Sequence, residues 1–256
     1  MDGREVRARG RMRQEDEARL QERKAVAEAV RREVWSMPPL ARKGFALMVD
    51  SLNVAGWLSG RRVVRKGKGV RDVDAILMER CEALQILELL CCHLGSPPLG
   101  TEWVYWVPRE ANRAADTLAG RAMEERQERM FLNARWSRFV GRHVVGVSDA
   151  GVREEPEAGG AHVGMGWMLV DRDSQECIVA AQWYRWVERS EGGLVAEQDI
   201  NLWEARAAKA CLAAVVALRT ARLGEVAAHE CAPITAAERR SLKQKLFGPL
   251  GSARTP

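Results

Sequence analysis

The stretch FALMVDSLNVAGWLSG, residues 45–60, constrains this chain most. Five apolar residues read as a buried strand, an acid closes the run, and a helical pattern starts at once. A strand that feeds directly into a helix belongs to an α/β fold. The same signature recurs in HVVGVSD, residues 143–149, whose apolar run also ends on an aspartate. Asp50 and Asp149 therefore sit where a sheet ends and polar groups can gather. Asp50 could equally cap the following helix, and Asp149 could form an Asx turn with Gly151.

The rest of the chain fits the same class. Residues 3–35 are dense in Arg and Glu at helical spacing, as in Glu15–Arg19 and Glu28–Arg32, and predict a long exposed helix that ends at Pro38-Pro39. Residues 44–50 predict a strand, 51–59 a helix, 72–93 a second helix, 101–107 a strand and 111–126 a helix. Residues 128–142 read as a basic connector. Then come three successive strands at 143–149, 161–170 and 177–187 with Gly-rich or charged turns, and a long helix over 197–219. Thr235 with Glu238 three residues on is a capping box for a short helix near 236–247, closed by Gly248-Pro249. Domain organisation follows as a charged extension over 1–38, one α/β domain over 39–222 in two dissimilar halves (39–127 and 143–222, joined by 128–142), and a tail over 223–256.

Two further acids stand on faces that should be buried. Glu204 lies four residues before Ala208 and seven before Cys211 on the apolar stripe of NLWEARAAKACLAAVVAL. Asp116 is close to the stripe of Ala115, Leu118, Ala119 and Ala122. Glu204 could snorkel to the edge of its stripe, and Asp116 could sit favourably near a helix N-terminus. Taken together, four acids at strand ends or on helix faces make a cage of hard oxygen ligands suited to Mg²⁺ or Mn²⁺.

Charge and cysteine content narrow the surroundings. A net charge of +5 and a pI near 9.0 favour an acidic partner, either nucleic acid or an anionic surface. Residues 61–71, RRVVRKGKGVR, carry six basic residues and no acid. No apolar run reaches the length of a membrane span, and the N-terminus is charged from residue 2, so neither a signal peptide nor a membrane helix is expected. None of the six cysteines forms a C-x-x-C pair, which suits reduced core residues in an intracellular protein. Cys91-Cys92-His93 is a poor zinc site, because adjacent side chains point apart and no second ligand pair follows.

At this point a family resemblance enters. HVVGVSDAGVREEPEAGGAHVGMGWMLVD resembles the opening of the ribonuclease H fold, with a strand ending in an acid and then a G-x-G strand. INLWEARAAKACLAAVVAL resembles the family's first helix, with Glu204 at the place of its catalytic Glu. ALMVDSLNVAGWLSG resembles the fourth strand and its helix, with Asp50-Ser51 matching the family's Asp-Ser. WVYWVPREANRAADTLAGRAM resembles the last strand and helix, and Asn112 and Asp116 fall on its pattern. The two halves stand in reversed order, so the resemblance implies a circularly permuted domain: a mixed five-stranded sheet flanked by helices. The connector could span roughly 50 Å at full extension, enough to make the join. A rival account is a chain cut from a tandem array, whose halves pair within one chain or between two.

The resemblance implies a metal-dependent endonuclease that cleaves the RNA strand of RNA–DNA hybrids, similar to modules attached to retroelement reverse transcriptases. Asp50, Asp116, Asp149 and Glu204 would hold two Mg²⁺ or Mn²⁺ ions roughly 4 Å apart. Ser51, Asn112 and Asn201 would touch the nucleic acid near the site. Arg61, Arg62, Arg65, Lys66, Lys68 and Arg71 would grip phosphates, unless they are merely a solvated loop. Two departures stand out. The family's Asp-Gly is here Asp149-Ala150-Gly151, and the loop Pro108-Arg109-Glu110-Ala111 lacks the His that many members carry, which implies slower turnover. The alternatives are a non-catalytic nucleic-acid-binding or scaffold domain with a degenerate fold of this class, and a protein-interaction role for the N-terminal helix. Five tryptophans on predicted strands, Trp103, Trp106, Trp167, Trp183 and Trp186, are expected to pack in the core.

Overall fold

Among the described residues, seven strands form one mixed sheet in the order β2-β1-β4-β5-β6-β3-β7 in the computed structural model. The strands are β1 (Phe45–Val49), β2 (Val104–Trp106), β3 (Arg129–Leu132), β4 (Val144–Glu155), β5 (Gly160–Asp171), β6 (Cys177–Glu188) and the two-residue β7 (Ala232–Pro233). The helices are α1 (Leu52–Leu58), α2 (Val73–Leu94), α3 (Arg113–Glu125), α4 (Ile200–Arg219), the short α5 (Leu223–Val226) and α6 (Ala236–Phe247). The structure describes residues 44–61, 73–94, 103–188, 199–226 and 232–247. The expected charged helix over 3–35, the loop GSPPLG and all of the basic run except Arg61 lie outside them, as do the side chains of Cys91, Cys92 and His93.

The α/β class read from the sequence is what the chain adopts. The two halves build a single sheet, joined where β1 runs parallel to β4, and β4, β5 and β6 form an antiparallel meander. The five-strand expectation is corrected to seven. Residues 129–132, taken as connector, pair antiparallel with β6 from Gln182 to Val179, and β7 adds to that edge. All four β3 residues are only half-buried, so the segment carries neither a clean alternation nor a fully apolar run.

Strand alternation sorts side chains to two cores. Leu47 and Val49 of β1 join Leu169 of β5 and Ala208, Cys211, Leu212 and Val215 of α4 on one face, over which α2 also packs. Met48 joins Val145, Val147 and Met168, with Ala114, Ala115 and Leu118 of α3, on the other. Ion pairs from Glu79 to Arg206 and Lys209 tie α2 to α4. Among the described cysteines Cys211 is buried, Cys177 half-buried and Cys81 exposed, so the core reading holds for Cys211 and fails for Cys81. Among the described residues no helix is long and apolar enough to cross a membrane.

Helix ends follow local chemistry. Ser51 caps α1, its Oγ accepting from the Val54 N–H at 3.4 Å, so the cap is the serine and not Asp50. Asp199 caps α4 by accepting from the Asn201 N–H at 2.9 Å. The capping box of α6 forms as its spacing requires, with Thr235 N–H donating to Glu238 at 2.7 Å and Glu238 N–H to Thr235 Oγ1 at 3.3 Å.

The G-x-G of β5 lets α3 lie against the sheet. A Cβ at Gly166 would sit 2.5 Å from both the Ala115 carbonyl oxygen and Leu118 Cβ, and these helix atoms cannot step aside alone. Gly120, on α3 itself, faces open space. Gly166→Val should therefore lower stability to chemical denaturation by about 1–3 kcal/mol. Gly120→Ala should raise it by up to about 1 kcal/mol. Equal responses to the two changes would contradict the close approach of α3.

Candidate functional site

The parallel seam between β1 and β4 brings two of the acids together. In the β1–β4 pair the last register partners are Val49 and Ser148, after which β1 stops and β4 continues. The next residues are Asp50, just past the carboxyl end of β1, and Asp149, the sixth residue of β4, which runs on to Glu155. Asp149 therefore does not close its strand as the sequence suggested, and it lies open to Asp50 because β1 stops there. Trp106, the last residue of β2, pairs with Val49 at the same end. Glu204 arrives from α4, about one turn past its Asp199 cap. Carboxylate oxygens of Asp50, Asp149 and Glu204 all lie within 4.8 Å of one another, the one such group among the described residues.

Three carboxylates in so small a space repel. Burial, then the charges of Asp50, Asp116 and Glu204, push the Asp149 carboxyl up to about 9. Burial also raises Glu204 to about 7, against a hydrogen bond with Ser51. Asp50 is raised too, by burial, against hydrogen bonds from Asn112 and Asp149. Burial and mutual repulsion thus favour the protonated form of the Asp50–Asp149 pair.

The expected site residues take distinct places. Asp50, Asp149 and Glu204 converge. Asp116, expected as a fourth ligand, falls outside that group: its Oδ1 accepts from Arg109 Nε at 3.0 Å and from a second guanidinium nitrogen. Asp116 stays near enough for its charge to act on Asp149. Asn112 is wholly buried, its amide donating to Asp50 Oδ1 at 3.2 Å and to the Ser148 carbonyl at 2.8 Å. It ties the end of β1 to β4 at Ser148, where contact with nucleic acid was expected. Asn201 is also buried, accepting from Asn53 at 3.0 Å and donating to Asp199 at 2.9 Å. Ser51 caps α1 and supports Glu204. Arg61 is exposed just past α1, while Arg62, Arg65, Lys66, Lys68 and Arg71 lie outside the described residues.

Two neighbours were missed from sequence. Arg109 reaches the acids from the 3₁₀ turn Arg109–Ala111 before α3, and its own pKa is raised first by its hydrogen bond to Asp116 and further by the charges of Asp149 and Asp50. Its place in the loop where a His was sought was the available signal. Trp106 was expected in the core but is 41% exposed, its indole N–H donating to the Asp50 carbonyl at 3.0 Å. An edge strand that ends at the site cannot bury its last side chain on both faces.

No family model and no curated protein matches the chain. Among solved structures it is similar to a point variant of the PelC dodecamer from Paraburkholderia phytofirmans, at 15% identity over 73% of this chain and 95% of that one, with a TM-score of 0.24. A second PelC dodecamer from the same organism gives 13% identity over 71% and 91%, again with a TM-score of 0.24. Likeness at that level carries no conclusion about fold or function.

The donor set fits a hard divalent cation: three carboxylates, no nitrogen or sulfur ligand, and oxygens close enough to share one ion. A pH test follows from the charges. Asp149 and Glu204 hold protons more tightly folded than unfolded, so their contribution to stability is greatest below their ordinary values near 4. It is lost as pH rises through about 7 and about 9. Glu238, pulled down to about 2 first by Arg129, gives the opposite slope in acid, its stabilisation vanishing as pH falls below its ordinary value. The melting temperature of metal-free protein should fall between pH 5 and 9, and Asp149→Asn should flatten that fall. Mn²⁺ should raise it more at pH 8 than at pH 5. A profile identical in wild type and variant would refute the repulsive cluster.

Proposed function

We propose that this protein is a metal-dependent nuclease of the ribonuclease H-like class, cleaving the RNA strand of RNA–DNA hybrids. The observation that carries the reading is the convergence of Asp50, Asp149 and Glu204 where β1 ends beside the middle of β4. These are three of the four acids that the family resemblance picks out, and they come from both halves of the chain. A permuted domain is supported by the pairing of β1 with β4, which makes one sheet of the two halves within one chain. On this reading no exchange of halves between two chains is needed.

Bound at the cluster, Mg²⁺ or Mn²⁺ would acidify a water and offset charge on a scissile phosphate. The residues of the chain supply the rest. Asp50, Asp149 and Glu204 present carboxylate oxygens to one point, Asp149 buried and the other two half-buried. Asn112 fixes the position of Asp50 from behind, and Ser51 does so for Glu204. A polynucleotide backbone would approach the cluster where β1 and β2 stop, beside the exposed Trp106. Hybrid recognition would rest on phosphate contacts and on 2′-hydroxyl groups in the wide minor groove.

One observation favours a second reading, a non-catalytic nucleic-acid-binding domain of the same class. Asp116 is engaged by Arg109, which leaves three acids where the family's chemistry uses four. Cleavage assays separate the two. With a labelled hybrid, the nuclease should cut the RNA strand in Mg²⁺ or Mn²⁺ and stop in EDTA. Asp149→Asn should reduce the rate by more than about a hundredfold. Cutting that persists in EDTA, or that the variant does not slow, would reject the nuclease. Salt-sensitive binding without any cutting would favour the second reading.

A further inference from the structure

Arg109 is a cation already drawn to the acid cluster. Its backbone is fixed: Val107 is fully buried and donates to the Val49 carbonyl at 2.9 Å, and the 3₁₀ turn is closed by Asn112 N–H to the Arg109 carbonyl at 3.0 Å. Its side chain is the opposite, 73% exposed, with two N–H groups converging on Asp116 Oδ1. An ion pair this exposed is weak and exchanges readily. The guanidinium nevertheless feels Asp50 and Asp149 as well as Asp116, and it acts in turn on Glu204. A divalent ion among Asp50, Asp149 and Glu204 would repel it and compete with it for Asp116. Once displaced, its planar fork suits the two oxygens of a phosphodiester.

We propose that Arg109 is a two-position side chain: it neutralises Asp116 when the cluster holds no divalent ion, and it turns to a backbone phosphate of bound polynucleotide when the cluster holds one. This deepens the nuclease reading and rests on it for the identity of the anion. Arg109 is a binding residue here and takes no proton.

Mn²⁺ titration of the full chain by calorimetry, without nucleic acid, tests the first position. Arg109→Gln should bind Mn²⁺ about fivefold tighter than wild type. Arg142→Gln, which removes the same charge at an exposed site outside the cluster, should leave Mn²⁺ affinity unchanged. Binding of a hybrid with a non-cleavable 2′-O-methyl strand tests the second. Arg109→Gln should weaken it about fivefold in Mn²⁺ and leave it unchanged in EDTA, and Arg109→Lys should recover only part of the loss. Unchanged or weaker Mn²⁺ affinity in Arg109→Gln, or a hybrid affinity that the variant does not alter in Mn²⁺, overturns the proposal. Wild-type cleavage measured alongside keeps the two ideas apart. Cleavage with no effect of Arg109→Gln removes the role of Arg109 and leaves the nuclease. Both affinity changes with no cleavage leave the exchange of Arg109 and remove the nuclease.

Discussion

The parallel pairing of β1 with β4 is the contact on which the rest of the molecule depends. It is the seam between two halves of the chain that are far apart in sequence, and it sets the register that ends at Val49 and Ser148. A slip of one residue would turn Met48 toward α4 and Leu47 toward α3, exchanging the faces of both cores. It would also part Asp50 from Asp149. Packing and chemistry are therefore specified by one set of backbone hydrogen bonds.

That seam carries a charge conflict which the surrounding structure contains but does not remove. Asp149 is 5% exposed and faces two other carboxylates. Polar neighbours hold the acids in place: Asn112 bridges Asp50 and the Ser148 carbonyl, Ser51 meets Glu204, and Arg109 covers Asp116. None of these neighbours puts a positive charge among the three converging acids, and burial raises the pKa of all three. Buried carboxylates left in this state cost stability, and the two apolar cores on either face of the sheet offset that cost. Mutual repulsion among carboxylates is the expected consequence of acids gathered on a rigid sheet.

Much of this was legible in the chain because the signals were local. The runs that became β1, β4, β5 and β6, and the stripes of α3 and α4, owe their form to apolar periodicity, and the α6 cap to a four-residue motif. Residues 129–132 escaped because an edge strand with half-buried side chains has no periodic signature. Trp106 misled because a large aromatic on a strand is ordinarily buried, whereas this one lies where the edge strand ends. Asp116 fitted a motif and shares a neighbourhood with the other acids, yet an arginine seven residues earlier claims it, and spacing alone does not say which way that side chain turns.

By itself, then, the sequence determined which residues bear the charge, most of the segments that become strands or helices, and that four acids stand on or beside apolar strands and helix faces. These follow from periods of two and 3.6 residues and from local capping. Only the tertiary structure decided that Asp50, Asp149 and Glu204 meet while Asp116 turns to Arg109, and that Asn112 and Asn201 lie inside as supports. Such outcomes depend on pairing between residues about a hundred positions apart and on the direction of single side chains, which no local pattern encodes.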